Sequence, residues 1–242
     1  MYKTDTMKTL RKDLLISIAP ALLLVLGVEL RAQDCQDYFP MKEGTTLRYA
    51  HYDQKDKLSG TSQMTFKEKK EIPGGMSVLF ASSFKDEKEE VVYDSELEME
   101  CRDGVLYFDA DKLLDPATMS AYESMEVEVT GENLETPLNA APGTRLKDGG
   151  VTAVVSSEGM KIVTLSVQIT NRTIAGKETL TTPAGTFNCV KYTYDSFSQF
   201  GFVKVNGSGV DWLTHEYGTI RSESYDKKGN LAGYFVLESI SQ

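Results

Sequence analysis

Met160 to Ala175 reads MKIVTLSVQITNRTIA, and the period of two in this stretch decides the fold. Val163, Leu165, Val167 and Ile169 fall on one side, with Ile162, Thr164, Ser166 and Gln168 on the other. Successive side chains of an extended chain point to opposite faces, whereas a helix repeats every three or four residues. The aliphatic row opposite a mixed row therefore predicts a strand packed on one side and wetter on the other, as in an antiparallel sheet.

The same pattern extends outward in both directions. Downstream, Thr179 to Thr182 leads into the turn Pro183-Ala184-Gly185. Strands are expected at Phe187–Tyr194, Phe200–Val205, Gly209–Thr214 and Gly218–Tyr225, and a turn at 227–230 returns the chain through Leu231 to Ile240. Upstream, Val151–Ser157, Thr46–Asp53, Gly60–Ile72, Met76–Phe84, Glu90–Cys101 and Val105–Asp109 read as strands. They are punctuated by Pro73-Gly74-Gly75 and Asp103-Gly104, which are turn signals with a backbone cause. In Glu90–Cys101, Leu97, Met99 and Cys101 alternate with Glu96, Glu98 and Glu100. About a dozen sequential strands make a meander, and a sheet that large curls or closes. The expected fold is mostly β, a large curved antiparallel sheet or open β-barrel with one short helix packed on the concave side.

The helix is expected at Pro116–Ser124. Asp115 is a capping residue, Pro116 suits the first helical position, and Met119, Tyr122 and Met125 recur every three residues. Gly131 to Gly150 breaks the pattern and reads as a long surface loop or a linker between two subdomains.

Lys8, Arg11 and Lys12 precede an apolar run from Leu14 to Val28, and the small residue Ala32 follows. At about 1.5 Å per residue this run falls short of a bilayer core of about 30 Å, so residues 1–32 are expected to be a cleavable secretory signal and 33–242 a single exported β domain. Asp34, immediately before Cys35, is not the small residue that a lipidation signal requires. The remainder holds 21 basic and 33 acidic residues, a balance that repels nucleic acid and anionic surfaces.

Cys35, Cys101 and Cys189 allow one bridge and one thiol in an oxidising compartment. Sequence does not select among the three pairings. The expected bridge is Cys35–Cys101, which would tether the new N-terminus to a strand end, with Cys189 left reduced.

No catalytic, metal or cofactor constellation emerges. His51 and His215 are the two histidines, and His215-Glu216 lacks the second histidine of a zinc-protease motif. Gly207-Ser208-Gly209 is not a nucleophile elbow. Asp109, Asp111 and Asp115 lack the glycine and distal glutamate of a calcium loop. Trp212, Tyr217 and Tyr225 are of a type that stacks on sugars, although core packing is the more common role for such residues.

Several segments carry a family likeness: CQDYFPMKEGTTLRY from Cys35, LEMECRDGVLYFDADKLLDPATMSAYESMEVEV from Leu97, TTPAGTFNCVKYTYD from Thr181, GFVKVNGSGVDWL from Gly201 and YGTIRSESYDKKGNLAGYFVLESI from Tyr217. Together they resemble the exported TapB-like family of Gram-negative bacteria, a 3108-like domain of unknown function. The resemblance implies export and a single β domain, and it brings no catalytic residue with it.

The expected function is a non-enzymatic periplasmic or secreted module that binds an apolar small molecule or lipid, lined by Met119, Tyr122 and Met125. The competing reading is an envelope interaction module with a solid core and a protein partner; a carboxylate-dependent hydrolase stands third. No membrane span is expected after cleavage. Intact-mass measurement of the exported form should give a chain beginning near Gln33 without lipid. A diacylglyceryl-sized increment on Cys35 would contradict this.

Overall fold

The computed structural model describes residues 35, 38–39, 42–114, 116–137 and 140–242, without the side chains of 116 and 117. The expected signal segment, the Asp34 neighbour of Cys35 and the Asp115 cap lie outside the described residues. Thirteen strands are present among the described residues. The first five are β1 (Thr46–Asp53), β2 (Leu58–Ile72), β3 (Gly75–Asp86), β4 (Val91–Arg102) and β5 (Val105–Phe108). After the helical segment come β6 (Glu126–Glu132), β7 (Leu134–Pro137), β8 (Gly149–Ser157) and β9 (Met160–Thr182). The last four are β10 (Gly185–Phe200), β11 (Val203–Thr214), β12 (Gly218–Asp226) and β13 (Leu231–Ser241).

All thirteen join one antiparallel sheet in the order β6-β8-β9-β10-β11-β12-β13-β1-β2-β3-β4-β5-β7, nearly closed into a barrel with one unsealed seam. Its two edges, β6 and β7, are consecutive pieces of chain separated only by Asn133. The first pairs with β8 and the second with β5, so one extended run changes partner midway. Asn133 holds this corner: its Oδ1 accepts from the Ala110 N–H at 3.0 Å and its Nδ2 donates to Asp109 at 3.1 Å.

Register carries one face around the whole sheet. Leu165 opposes Phe200, which opposes Val203; Asp211 opposes Ser222, which opposes Phe235, then His51. Farther round, Met64 opposes Ser82, and Phe80 opposes Leu97. The buried clusters, including Phe66, Val78 and Phe80 near β3, Leu47, Tyr49 and Leu237 near β1, and Val151, Ala153 and Leu165 near β8, line this concave side. Glu96, Glu98 and Glu100 alternate with Leu97, Met99 and Cys101 and face outward, as their spacing predicts.

The space that the sheet encloses is filled unevenly. At one end, Cys35 bonds Cys101 (Cα–Cα 5.6 Å), and the buried Tyr38 and Phe39 cap the core. The Phe39 ring meets Phe80 at 5.5 Å, and its N–H donates to the His215 carbonyl at 3.1 Å. Across the seam, a 3₁₀ turn at Ala110–Leu113 lies against β8 and β6, and helix α1 (Pro116–Ser120) lies beside β4 with Met119 packed on the cluster of Ala110, Leu114, Val151, Ala153 and Leu165. The helix is shorter than the expected Pro116–Ser124: the chain leaves it in turns, with Tyr122 N–H bonding the Met119 carbonyl and Met125 N–H that of Tyr122. Tertiary packing is what holds a segment too short to be helical alone.

On the other half of the seam Arg172 takes the place of a ladder. Its guanidinium donates to the Glu135 carbonyl (3.0 Å), the Lys147 carbonyl (2.7 Å) and Thr136 Oγ1 (2.9 Å). The side chain is 7% exposed, and Lys147 adds ion pairs to Glu132 and Glu135 at 3.2 and 3.0 Å. The stretch read as loop or linker thus contains β7, and residues 143–146 run along β9. Hydrogen bonds from a charged donor contribute about 1.5–3 kcal/mol each, and orphaned acceptors add a penalty. Arg172→Met should lower unfolding free energy by about 3 kcal/mol in urea titration. A loss below about 0.5 kcal/mol would show that the seam does not depend on it.

Candidate functional site

The end opposite the disulfide has no plug among the described residues. Here β9 and β11 begin and β10 ends. On β8 and β9 the concave Val155 and Leu165 are buried in the cluster that Met119 and Tyr122 pack against, whereas on β1 to β4 and β12 to β13 side chains such as His51, Phe84, Tyr93, Ser222 and Phe235 are only half-buried. One wall is aromatic. His51 lies between Phe84 and Phe235, with ring centroids 5.1 Å from each, and Phe84 stacks on Tyr93 at 5.9 Å. His51 Nε2 shares a hydrogen bond with Ser62 Oγ at 2.8 Å. The adjoining wall is built of small residues, since Ser222, Gly209, Gly207, Ser196 and Ser198 follow the same face across β12, β11 and β10. Nearer the mouth this wall turns apolar: Val205, Val203 and Phe200 lie on the concave side of β10 and β11, yet they are 55, 63 and 39% exposed. Contiguous exposed apolar surface of this kind marks a binding surface more often than it marks a stable free one.

Asp211 sits on the floor of this concavity. Burial raises its carboxyl to about 6, against the opposing pull of hydrogen bonds from Ser222 and Tyr194 and of the Arg172 charge. Tyr194 reaches it with a hydroxyl at 3.5 Å, its ring lying over Gly209, where a Cβ would collide with the ring. A glycine therefore stands in the middle of β11 because the tyrosine occupies the space above it. Burial also depresses His51, to about 4. It reads as a neutral, packed imidazole.

The residues singled out from sequence are distributed as follows. Met119 and Tyr122 pack against the cluster of Ala110, Leu114, Val151 and Leu165 on the concave face, whereas Met125 is 38% exposed at the margin. Cys35 and Cys101 form the bridge, and Cys189 is a buried thiol that burial pushes up to about 11. Trp212 is buried, its indole N–H bonded to Glu178 and its ring beneath Lys191 at 4.9 Å, so it presents no stacking platform. No group of three metal-ligating side chains occurs among the described residues. Sequence reading did not single out Asp211, Tyr194, Arg172 or the aromatic row through His51. Asp211 lies one residue before Trp212 in a strand that was read in two pieces, and nothing local distinguishes it from surface acids.

Comparison with known proteins places this geometry. The DUF3108-like family model matches residues 42–237, and the chain belongs to that family. Among solved structures, it is similar to a protein described as exported, with a YmcC-like fold, from Bacteroides fragilis NCTC 9343. The identity is 25% and the TM-score 0.69, over 85% of this chain and 99% of that one. A protein described as a lipoprotein from Parabacteroides distasonis ATCC 8503 is similar at 24% identity and TM-score 0.70, covering 86% and 100% of the two chains. No curated protein matches the sequence. The fold is therefore a YmcC-like open barrel.

The two shifted groups make opposite contributions to stability. Asp211 holds its proton more tightly when folded (about 6 against 3.8), so its contribution is full below about pH 3.8 and is lost as pH rises through 6. His51 binds its proton less tightly when folded (about 4 against 6.5), so its contribution is present above pH 6.5 and is lost as pH falls through 4. Each spans roughly 3 kcal/mol at 1.36 kcal/mol per unit. Relative to wild type, Asp211→Asn should gain stability progressively from pH 4 to 7. His51→Gln should gain in relative terms from pH 6.5 down to 4, whatever its offset from lost packing. Urea midpoints that run parallel for all three proteins would contradict both assignments.

Proposed function

We propose that the chain is an exported, non-enzymatic module that binds an apolar or amphipathic small molecule in the open end of its barrel. The carrying observation is the concave wall at the mouth, where Phe200, Val203 and Val205 of the neighbouring strands β10 and β11 stay exposed while the clusters near the disulfide and under Met119 and Tyr122 are packed. An aromatic row and a floor of serines and glycines suit an elongated ligand with one polar end, which Asp211 and Tyr194 could meet. Export is supported by the Cys35–Cys101 bridge and by the relatives described as exported or as a lipoprotein. The periplasm, reached through cleavage near residue 32, is the compartment this reading favours.

The absence of enzymatic activity is part of the proposal. Met119 and Tyr122 close the seam side of the concavity in this reading. A dye that fluoresces in apolar surroundings should bind the folded protein. Val205→Asp should weaken it at least about fivefold with little change in thermal midpoint, because this side chain is exposed in the free protein. Absence of dye binding, or affinity unchanged by Val205→Asp, would leave a structural or protein-interaction role as the better account.

A further inference from the structure

β4 is paired along its whole length on one side and along little of it on the other. Its ladder to β3 runs from Val91 to Arg102, whereas β5 reaches only Glu100, Cys101 and Arg102. β5 ends at Phe108, and among the described residues no strand or backbone hydrogen bond takes its place beside residues 91–99. β6 borders the same opening from the far side; it continues β7 through Asn133, and its ladder is to β8 alone. At this level the seam therefore lies open between two unpaired strand edges. The 3₁₀ turn and α1 cover it from within, since Ala110, Leu114 and Met119 pack on the concave cluster of Val151, Ala153 and Leu165. Its outer side meets solvent, and Val91 and Val92 are 56 and 47% exposed there.

Both flanks of the opening are acidic. Residues 90–100 hold five acids and residues 116–132 hold four, and neither stretch has a Lys or Arg. Glu100 and Glu132 are paired with Arg102 and Lys147, and Glu98 accepts from Ser77. Asp94, Glu96, Glu126 and Glu128 make no ion pair among the described residues. Of the bases that border them, Lys70, Lys85 and Lys112 are held by Glu68, Glu89 and Asp111. Lys88 stands in the turn 86–90 among four acids, and Lys161 lies two strands in from Glu126. The balance at the opening stays negative. Asp94 and Glu96 also form the seam-side rim of a hollow of about 410 Å³ on the outer face, floored by Ala81 and Ser83 and bounded beyond by Gln63 and Thr65.

From these features we infer that the seam is a docking site for an extended, basic segment of a partner protein, which adds to β4 as a further strand. The unpaired backbone of residues 91–99 supplies the ladder, and a strand laid there sends alternate side chains to opposite faces. Those facing out lie beside Asp94 and Glu96, where a Lys or Arg makes the cross-strand pair and reaches over them into the hollow. Those facing in are apolar: they meet Leu97 and, across the opening, Val129, which opposes the buried Ala153 and is 45% exposed. A second copy of this chain is a poor occupant, because antiparallel pairing of two β4 edges would set one acidic row against the other. The unpaired edge is the site, and the acids choose its occupant. The inference does not rest on ligand binding within the barrel.

The test titrates the exported chain, its disulfide formed, with a fluorescent synthetic peptide that alternates Lys or Arg with Val. The peptide should bind and slow amide exchange in residues 91–99. The same peptide N-methylated throughout keeps its charge and side chains but cannot pair, and should bind at least about tenfold more weakly. An analogue with Glu in place of the basic residues should not bind. Asp94→Lys with Glu96→Lys should weaken the basic peptide by about tenfold or more, and Asp94→Asn with Glu96→Gln by less. Thermal midpoints should not change, since both side chains are exposed, and Val205→Asp should leave peptide affinity as it is. Absence of binding, equal binding of the N-methylated peptide, or protection that falls outside residues 91–99 would overturn the inference. So would protection of 91–99 in a self-associated wild type without peptide, since the edge would then be a contact between copies of this chain.

Discussion

A sheet of thirteen strands encloses more space than side chains alone can fill, and the rest of the structure depends on that constraint. Barrels of about eight strands are just filled by their own inward residues, and wider ones need a plug or retain a channel. Here separate pieces of chain share the task. The disulfide-tethered Tyr38 and Phe39 close one end, the 3₁₀ turn and α1 lie across half the seam, and Arg172 with residues 143–147 occupies the other half. Among the described residues none of these pieces covers the end away from the disulfide along β1 to β4 and β10 to β13, and that end carries the half-buried aromatic wall and the exposed Val203 and Val205.

The polar residues inside obey the same geometry. Arg172 is buried without a carboxylate in its hydrogen bonds and is satisfied by two carbonyls and a hydroxyl, which is how a buried cation is tolerated. Asp211 is less well served, and its raised pKa follows from incomplete compensation in a recessed position. Residues that cost stability when ionised and sit in a concavity are characteristic of sites that serve a ligand more than the fold.

Much of this was legible from the chain because the period of two holds through Ile169 of β9, before an irregularity at Asn171 (φ 53) turns Arg172 and Ile174 inward, and because the turns are marked by Pro73-Gly74-Gly75, Asp103-Gly104 and Pro183-Ala184-Gly185. Merged strands were harder to read. Phe187–Tyr194 and Phe200 belong to one strand, β10, and Val203 through Thr214 form another, because Ser196, Ser198, Gly207 and Gly209 are tolerated in a ladder whose neighbours supply the packing. The strands β6 and β7 were missed for a different reason. Their charged and glycine-bearing sequences, EVEVTGE and LETP, have weak local preference, and pairing with β8 and β5 imposes their conformation. Met125 followed the helical spacing of Met119 and Tyr122, but α1 ends at Ser120 and the turns that follow rotate it to the margin. Asp211 and Arg172 acquire significance only from register around a closed sheet, which no local pattern encodes.

The central claim is that the unfilled end of the barrel is a ligand site and not merely a cavity left by imperfect packing. Native mass spectrometry of the exported protein, purified from its own compartment without detergent, tests it most directly. The account predicts a population carrying an adduct of the mass of an amphipathic small molecule or single lipid, and loss of that adduct in Val205→Asp. The bare mass in wild type and variant alike would contradict it.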